Sequence, residues 1–159
     1  MADGLETVMA DVARSVQIAA SPDSVFRYVV TEWEGDLDFW EDGIEGWRLL
    51  TPPPLKTGAR VEYTGRMLGI GFPVRMEVRS FEPGKGWSAH SIEGPPVRGD
   101  WRFEPADAGT RFTYRLRYTM PPPVLGPILD RWLMEPRWRR AIEASLNNLK
   151  GECERRVSG

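Results

Sequence analysis

Few residues in this chain of 159 could do acid–base or nucleophilic chemistry: histidine and cysteine each occur once, as His90 and Cys153. A lone cysteine excludes an internal disulfide and any multi-cysteine metal site. Cys153 also continues the 4-3-4 spacing of Ile142, Leu146 and Leu149, an apolar helical stripe, so it reads as a core residue. His90 stands in "GWSAHS"; if Trp87 and Ala89 point inward along a strand, His90 points to solvent. Arg14 falls on the apolar parity of "VARSVQI", either as a buried anion clamp or as a strand-end residue released to water. Glu135 and Arg139 lie at helical spacing around Pro136 and read as an exposed ion pair. There is no Ser-His-Asp set, no H-E-x-x-H and no glycine-rich phosphate loop. No residue is assigned a catalytic role, no cofactor is implied, and no metal site is expected.

The polar groups that remain are phenols. "RFTYRLRYTM", Arg111 to Met120, alternates without a slip: Arg111, Thr113, Arg115, Arg117 and Thr119 on one parity, Phe112, Tyr114, Leu116, Tyr118 and Met120 on the other. Such alternation makes a strand with one wet face and one oily face. The same pattern places Tyr63 inward with Val61, Gly65 and Met67. It pairs Phe72 with Val74, Met76 and Val78, and Trp101 with Val97, Gly99 and Phe103. A buried phenol needs a hydrogen-bond partner, because an unpaired one costs roughly 1–3 kcal/mol.

These strands need a scaffold. Hydrophobic residues make up 41% and charged residues 28%, a soluble globular balance, and the length suits one domain over 1–159 with 1–9 as a loose tail. The net charge of -2 gives no field that would attract nucleic acid. The acidic N-terminus is not a secretory signal and no run nears the roughly 18 apolar residues of a membrane span. A cytoplasmic protein, monomeric or weakly dimeric, is the expectation.

"VARSVQI" starts the fold as a strand. "SPDSVFRYVV" then starts a helix from Ser21 to Glu32, with Ser21 as cap and Pro22 at the first helical position. "EWEGDLDFWEDGIEGW" is acidic, aromatic and broken by Gly35, Gly43 and Gly46, and is expected to hold a short second helix. Short turn signals separate the following strands, which predicts an antiparallel meander with one solvated and one covered face. The cover is a C-terminal helix from Pro127 to Arg156, kinked or divided at Pro136.

"VQIAASPDSVFRYV", "WRFEPADAGTRFTYRLRYTMP" and "SLNNLKGECE", together spanning nearly the whole chain, resemble the START/Bet v 1-like (SRPBCC) superfamily in its polyketide cyclase/dehydrase-like branch. The first is similar to that branch's "I-x-A-x-P-x-x-V-F-x-Y-V". The second is similar to its "W-x-F-x-P…G-T-x-x-T-Y" hairpin, and the third to its "L-x-x-L-K-x-x-x-E" ending. The resemblance implies an α+β helix-grip fold: a curved antiparallel β-sheet wrapped around a long C-terminal α-helix, with two short helices after the first strand. These motifs specify fold better than chemistry.

Such folds often leave a cavity for an apolar ligand between sheet and helix. Tyr63, Met67, Phe72, Met76, Trp101, Phe112, Tyr114 and Tyr118 would line it together with Trp132 and Leu133. An ordinary filled core accounts for any one of them. Collectively, three inward tyrosines and the missing side chains of Gly65 and Gly99 favour a binding site for a lipid-, polyketide- or sterol-like molecule. A cyclase- or dehydratase-like enzyme is the alternative, and it needs an acid or base on the lining. A third reading uses the outer face, where Arg60, Arg66, Arg75, Arg79, Arg98, Arg102, Arg111, Arg115 and Arg117 outnumber Glu62, Glu77, Asp100 and Glu104. Those residues either dock an anionic membrane or a protein, or pair across strands and keep the face soluble. The acidic run of Glu32, Glu34, Asp36, Asp38, Glu41, Asp42 and Glu45 reads as a solvated edge near the cavity entrance.

Overall fold

The computed structural model describes residues 10–40, 43–67, 70–118 and 135–158. Its elements are β1 (Ala10–Ile18), α1 (Pro22–Glu34), β2 (Ile44–Leu49), β3 (Arg60–Met67), β4 (Ile70–Glu82), β5 (Gly86–Glu93), β6 (Val97–Ala106), β7 (Gly109–Tyr118) and α2 (Glu135–Ser158). The strands form a seven-stranded sheet in the order β1-β7-β6-β5-β4-β3-β2. Each of β2 to β6 pairs antiparallel with the next strand, and β1 pairs antiparallel with β7 at the other end of the row. The sheet curves into the half-barrel of a helix-grip fold, with α2 as its C-terminal helix.

The alternation of β7 is realised in full. Phe112, Tyr114, Leu116 and Tyr118 are buried, while Arg111 and Arg115 are exposed. Register carries this parity across the sheet, so that Val78, Ala89, Gly99, Leu116 and Val12 form one inward row and Trp87, Trp101 and Tyr114 form the next. Trp101 sits against the start of β5, where Gly86 has φ +142° and a Cβ would collide with the Trp101 carbonyl oxygen. Glycine is the residue that tolerates both constraints.

Ser21 caps α1, its Oγ accepting from Ser24 N at 3.2 Å, with Pro22 in the first turn as expected. Val25, Val29 and Trp33 repeat every four residues and are fully buried, so one stripe of the helix faces the sheet. The helix runs past Glu32 to Glu34 and ends at Gly35, whose N–H bonds back to Thr31 O and Glu32 O. Beyond it, residues 36–40 make turns, with Asp38 N bonded to Asp36 O and Trp40 N to Leu37 O. The second short helix expected in this segment is not formed among the described residues; the chain reverses too tightly after Gly35 for a helical ladder to restart.

α2 lies along β1. Ile142, Leu146, Leu149 and Cys153 are buried, as their spacing predicts. Its rim is tied down by Arg14 Nε to Glu143 Oε2 at 2.8 Å, Ala19 N to Glu154 Oε2 at 2.8 Å and Lys150 Nζ to Gln17 O at 3.0 Å. Pro136 is the second residue of the described helix. The extension of this helix over 127–134 and the tail 1–9 lie outside the described residues.

On the outer face Arg60 meets Glu77, Arg66 meets Glu45, and Arg75 bridges Glu62 and Glu93. Arg79 meets Glu77, Arg102 meets Glu82, Arg115 meets Asp11, and Arg117 meets Asp100 at 2.8 Å. The arginine excess is thus largely neutralised by neighbouring carboxylates.

Candidate ligand cavity

The inward row Ala89–Gly99 gives the sheet a dip, since these ladder neighbours carry one methyl group and none. Around it stand Met76 from β4, Trp101 from β6, Tyr114 from β7 and Tyr63 from β3. The segment leaving α1 supplies the roof: Trp33 from the helix, Leu37 and Trp40 from the turns after it, and Ile44 and Trp47 from β2. Together with Val97 these side chains enclose a cavity of about 20 Å³, room for about one water.

Edge-to-face packing holds the roof. Trp33 meets Trp47, Trp87 and Trp101 at ring-centroid distances of 4.8, 5.3 and 5.4 Å, each near perpendicular. Trp40 meets Tyr114 at 5.3 Å, and Trp47 stacks on Tyr63 at 5.5 Å. Such pairs contribute about 0.5–1.5 kcal/mol each beyond area burial. Polar bonds fix the backbone of the same segment. Trp47 Nε1 donates to Trp33 O at 3.0 Å, Phe39 N donates to Glu32 Oε1 at 3.1 Å, and Asn148 Nδ2 donates to Phe39 O at 3.1 Å. Leu55 N donates to Glu34 Oε2 at 2.7 Å. Glu32 and Glu34, read from sequence as part of a solvated edge, are therefore anchors for the roof. Glu45 pairs with Arg66, and Glu41 and Asp42 lie outside the described residues.

Of the residues expected to line a cavity, Tyr63, Met76, Trp101 and Tyr114 do so. Phe72 instead lies over Gly65, its ring 3.4 Å from where a Cβ would sit, so the space Gly65 leaves is taken by that ring. It also borders a groove of about 700 Å³ shared with Pro73, Glu93 and Pro95. Phe112 is fully buried and packs on Phe103 at 4.9 Å and Trp101 at 5.8 Å, as core. Tyr118 is buried beside Trp138 at 5.9 Å and opposite Val97 in the ladder, and is not among the residues that line the cavity. Trp132, Leu133 and the side chain of Met67 lie outside the described residues. Sequence reasoning missed Trp33, Leu37, Trp40, Ile44 and Trp47; the signal for Trp33 was its i+4 step from Val29.

The phenols have unequal partners. Tyr63 Oη donates to Met76 Sδ at 3.6 Å, a weak acceptor. Tyr114 Oη makes no hydrogen bond among the described residues. Burial pushes both hydroxyls well above the ordinary phenol pKa, so they donate hydrogen bonds and hold their protons. Among the described lining residues there is no His, Asp, Glu, Lys or Arg. His90 is on the outer parity, paired with Glu77 and Arg98 in the ladder, and its pKa is lowered by partial burial and by Arg98 and Arg79. Arg14 turns out to the rim and holds Glu143. No cluster of metal-ligating side chains occurs among the described residues.

The family model described as polyketide cyclase / dehydrase and lipid transport matches residues 9–154. The chain belongs to this family. No curated protein is detectably similar in sequence. Among solved structures, a Thermus thermophilus protein superposes with a TM-score of 0.77 at 21% identity, over 94% of this chain and 100% of that one. The Zhui aromatase/cyclase from Streptomyces sp. R1128 follows at 0.74 and 23%, over 94% and 96%. The di-domain aromatase/cyclase StfQ of the steffimycin biosynthetic pathway reaches 0.74 at 17%, with this chain covering 54% of it. At these identities the family member and its structural relatives share the fold.

Proposed function

We propose that this family member binds a small hydrophobic molecule, of lipid-, polyketide- or sterol-like character, in the space between the sheet dip and the tryptophan roof. The observation that carries this reading is the lining itself: apolar and aromatic walls around a few hydrogen-bond donors, the usual composition of a small-molecule site. The enclosed space is much smaller than such a ligand, so binding requires the roof of Leu37, Trp40 and Trp47 to move aside. That roof is carried by turns and a bulged strand rather than by the sheet interior, which makes it the part able to move. Burial of apolar surface would supply most of the affinity, at roughly 25 cal/mol per Å² before ordering costs. Cyclase or dehydratase chemistry in the same space finds little support, because the described lining offers no group that exchanges protons near neutrality. The arginine face, paired as it is with carboxylates, gives a membrane or protein partner little net charge to hold.

The test is native mass spectrometry of the protein purified from its own source, followed by denaturing extraction. A stoichiometric apolar small molecule is the expected result and would name the ligand class. A clean protein mass that also fails to take up 1-tetralone or tetralin at millimolar concentration would overturn the reading.

A further inference from the structure

On the outer face of the sheet, arginine usually stands across from a carboxylate. In the ladders Arg60 is opposite Glu77, Arg75 is opposite both Glu62 and Glu93, and Arg111 is opposite Glu104. Across β5, β6 and β7 the rule fails: His90 is opposite Arg98, and Arg98 is opposite Arg117. Among the described ladder pairs only these two set cation against cation. The three side chains stand abreast on adjacent strands, which lie about 4.8 Å apart. Like charges placed directly opposite destabilise a sheet. The surrounding carboxylates are already engaged. Glu77, opposite His90 on β4, holds Arg60 and Arg79. Asp11, opposite Arg117 on β1, holds Arg115, and Asp100 holds Arg117 at 2.8 Å. Arg98 pairs with no carboxylate among the described residues, and Arg117 keeps a buried Nε without an acceptor.

What such a row lacks is negative charge. Arg98 is exposed at its centre, with His90 on one flanking strand and Arg117 on the other. Guanidinium forks match the oxygens of a tetrahedral oxyanion, and an imidazolium adds a further donor. From this row we infer that the outer face carries a binding site for the phosphate monoester group of a soluble molecule, centred on Arg98 and flanked by His90 and Arg117. The rest of the face is paired, so the surplus charge suits one small anion rather than a membrane surface. The site is on the opposite side of the sheet from the cavity and does not depend on it. His90 makes the site sensitive to pH. Its ring faces Glu77 and Arg79 on β4, Arg98 and Asp100 on β6, and Arg117 on β7. Partial burial first, then Arg98 and Arg79, lower its pKa; Asp100 opposes them and Arg117 adds to the fall. A bound anion works against that repulsion, so the anion favours protonated His90 and is held more tightly as pH falls.

The test follows the imidazole resonances of His90, the single histidine, by proton nuclear magnetic resonance. Sulfate is the first probe, because it stays doubly charged wherever histidine titrates, so any pH dependence belongs to the protein. Chloride is exchanged for sulfate at constant ionic strength, which holds general screening fixed. A saturable shift of the His90 resonances is expected, and phenyl phosphate should reproduce it. Arg98→Gln is expected to weaken sulfate about 3- to 10-fold, the size of one charge-assisted contact at an exposed site. Binding should be about 3- to 10-fold tighter at about pH 5 than at about pH 8, where His90 is neutral. In His90→Gln, followed through the backbone amide of Arg98, that pH dependence should disappear while binding persists. A response that tracks ionic strength alone, or that Arg98→Gln leaves unchanged, would overturn the site. Vesicles of phosphatidic acid in phosphatidylcholine separate the two sources of phosphate. If they shift His90 where phenyl phosphate at equal phosphate concentration does not, the soluble ligand is overturned and a membrane headgroup takes its place.

Discussion

Along β1 the interior is sealed by aliphatic side chains, Val12, Ile18, Ile142, Leu146 and Leu149, and its rim is locked by paired charges and backbone bonds. Beneath α1 the interior is made of rings that touch edge to face, and buried donors there lack strong acceptors. The two regions are both buried, yet they solve burial differently. Aliphatic chains interdigitate and leave little to rearrange. Large rings on turns leave interstices and can tilt as units, which suits a surface that must part for a ligand. On this view the helix seam supplies stability and the tryptophan roof supplies accommodation.

The contrast breaks most visibly under core truncation. Leu149→Ala, at a fully buried position of the seam, is expected to cost about 2–5 kcal/mol. In a domain of this size that lowers Tm on the order of 5–15 °C, read by circular dichroism. A loss below about 1 kcal/mol would mean that the seam collapses around the gap and is no tighter than the roof.

A smaller effect is expected from Trp33→Phe, even though Trp33 is the larger residue. The lost volume costs something, but the variant also removes an indole N–H that is buried without a partner. The net loss should be about 0.5–1.5 kcal/mol by urea unfolding, with m unchanged. A penalty as large as that of Leu149→Ala would show the roof to be as tightly locked as the seam, and would weaken the case for its opening.

These same regions differ in how far they could be read from sequence. The seam and the sheet were legible because each element announces itself by a local period: two in "RFTYRLRYTM", and the 4-3-4 stripe of Ile142 to Cys153. The floor residues Tyr63, Met76, Trp101 and Tyr114 followed from that parity. The roof was not legible, because no period links Trp33, Leu37, Trp40 and Trp47. They come from a helix end, turns and a bulged strand, and only the tertiary fold brings them together. The helix boundary mattered most: ending α1 at Glu32 rather than Glu34 leaves Trp33 off the buried stripe. Glu32 and Glu34 looked like solvated charge for the same reason, since the amides of Phe39 and Leu55 that they hold are distant in pattern though near in space. Gly65 shows the opposite error. Its missing side chain suggested room, but Phe72 across the strand fills it.

The finest distinction between the regions is in their response to acid, because each holds a glutamate whose carboxyl is shifted in the opposite sense. In the seam, the hydrogen bond from Lys150 and then that from Ala19 N–H hold Glu154 below the ordinary glutamate pKa. Its contribution to stability is therefore present above the unfolded-chain value and is lost as pH falls through the lowered native value. In the roof, burial raises Glu32 despite the N–H bonds it receives from Phe39 and Asp38; the nearby Asp38 charge adds to the rise and Arg156 opposes it. The folded chain then binds that proton more tightly than the unfolded one. Ionised Glu32 costs stability above its native pKa, and the cost fades as pH falls toward the unfolded value. Thermal melts from neutral pH into the acid range, on Glu154→Gln and Glu32→Gln, read the two signs directly. Glu154→Gln should fall below wild type at neutral pH and converge with it in acid. Glu32→Gln keeps an acceptor oxygen for Phe39 N–H without the charge, so it should lie above wild type at neutral pH and converge in acid. Should both variants move in the same direction, the two glutamates share one environment, and the division between a locked seam and a yielding roof would have no electrostatic counterpart.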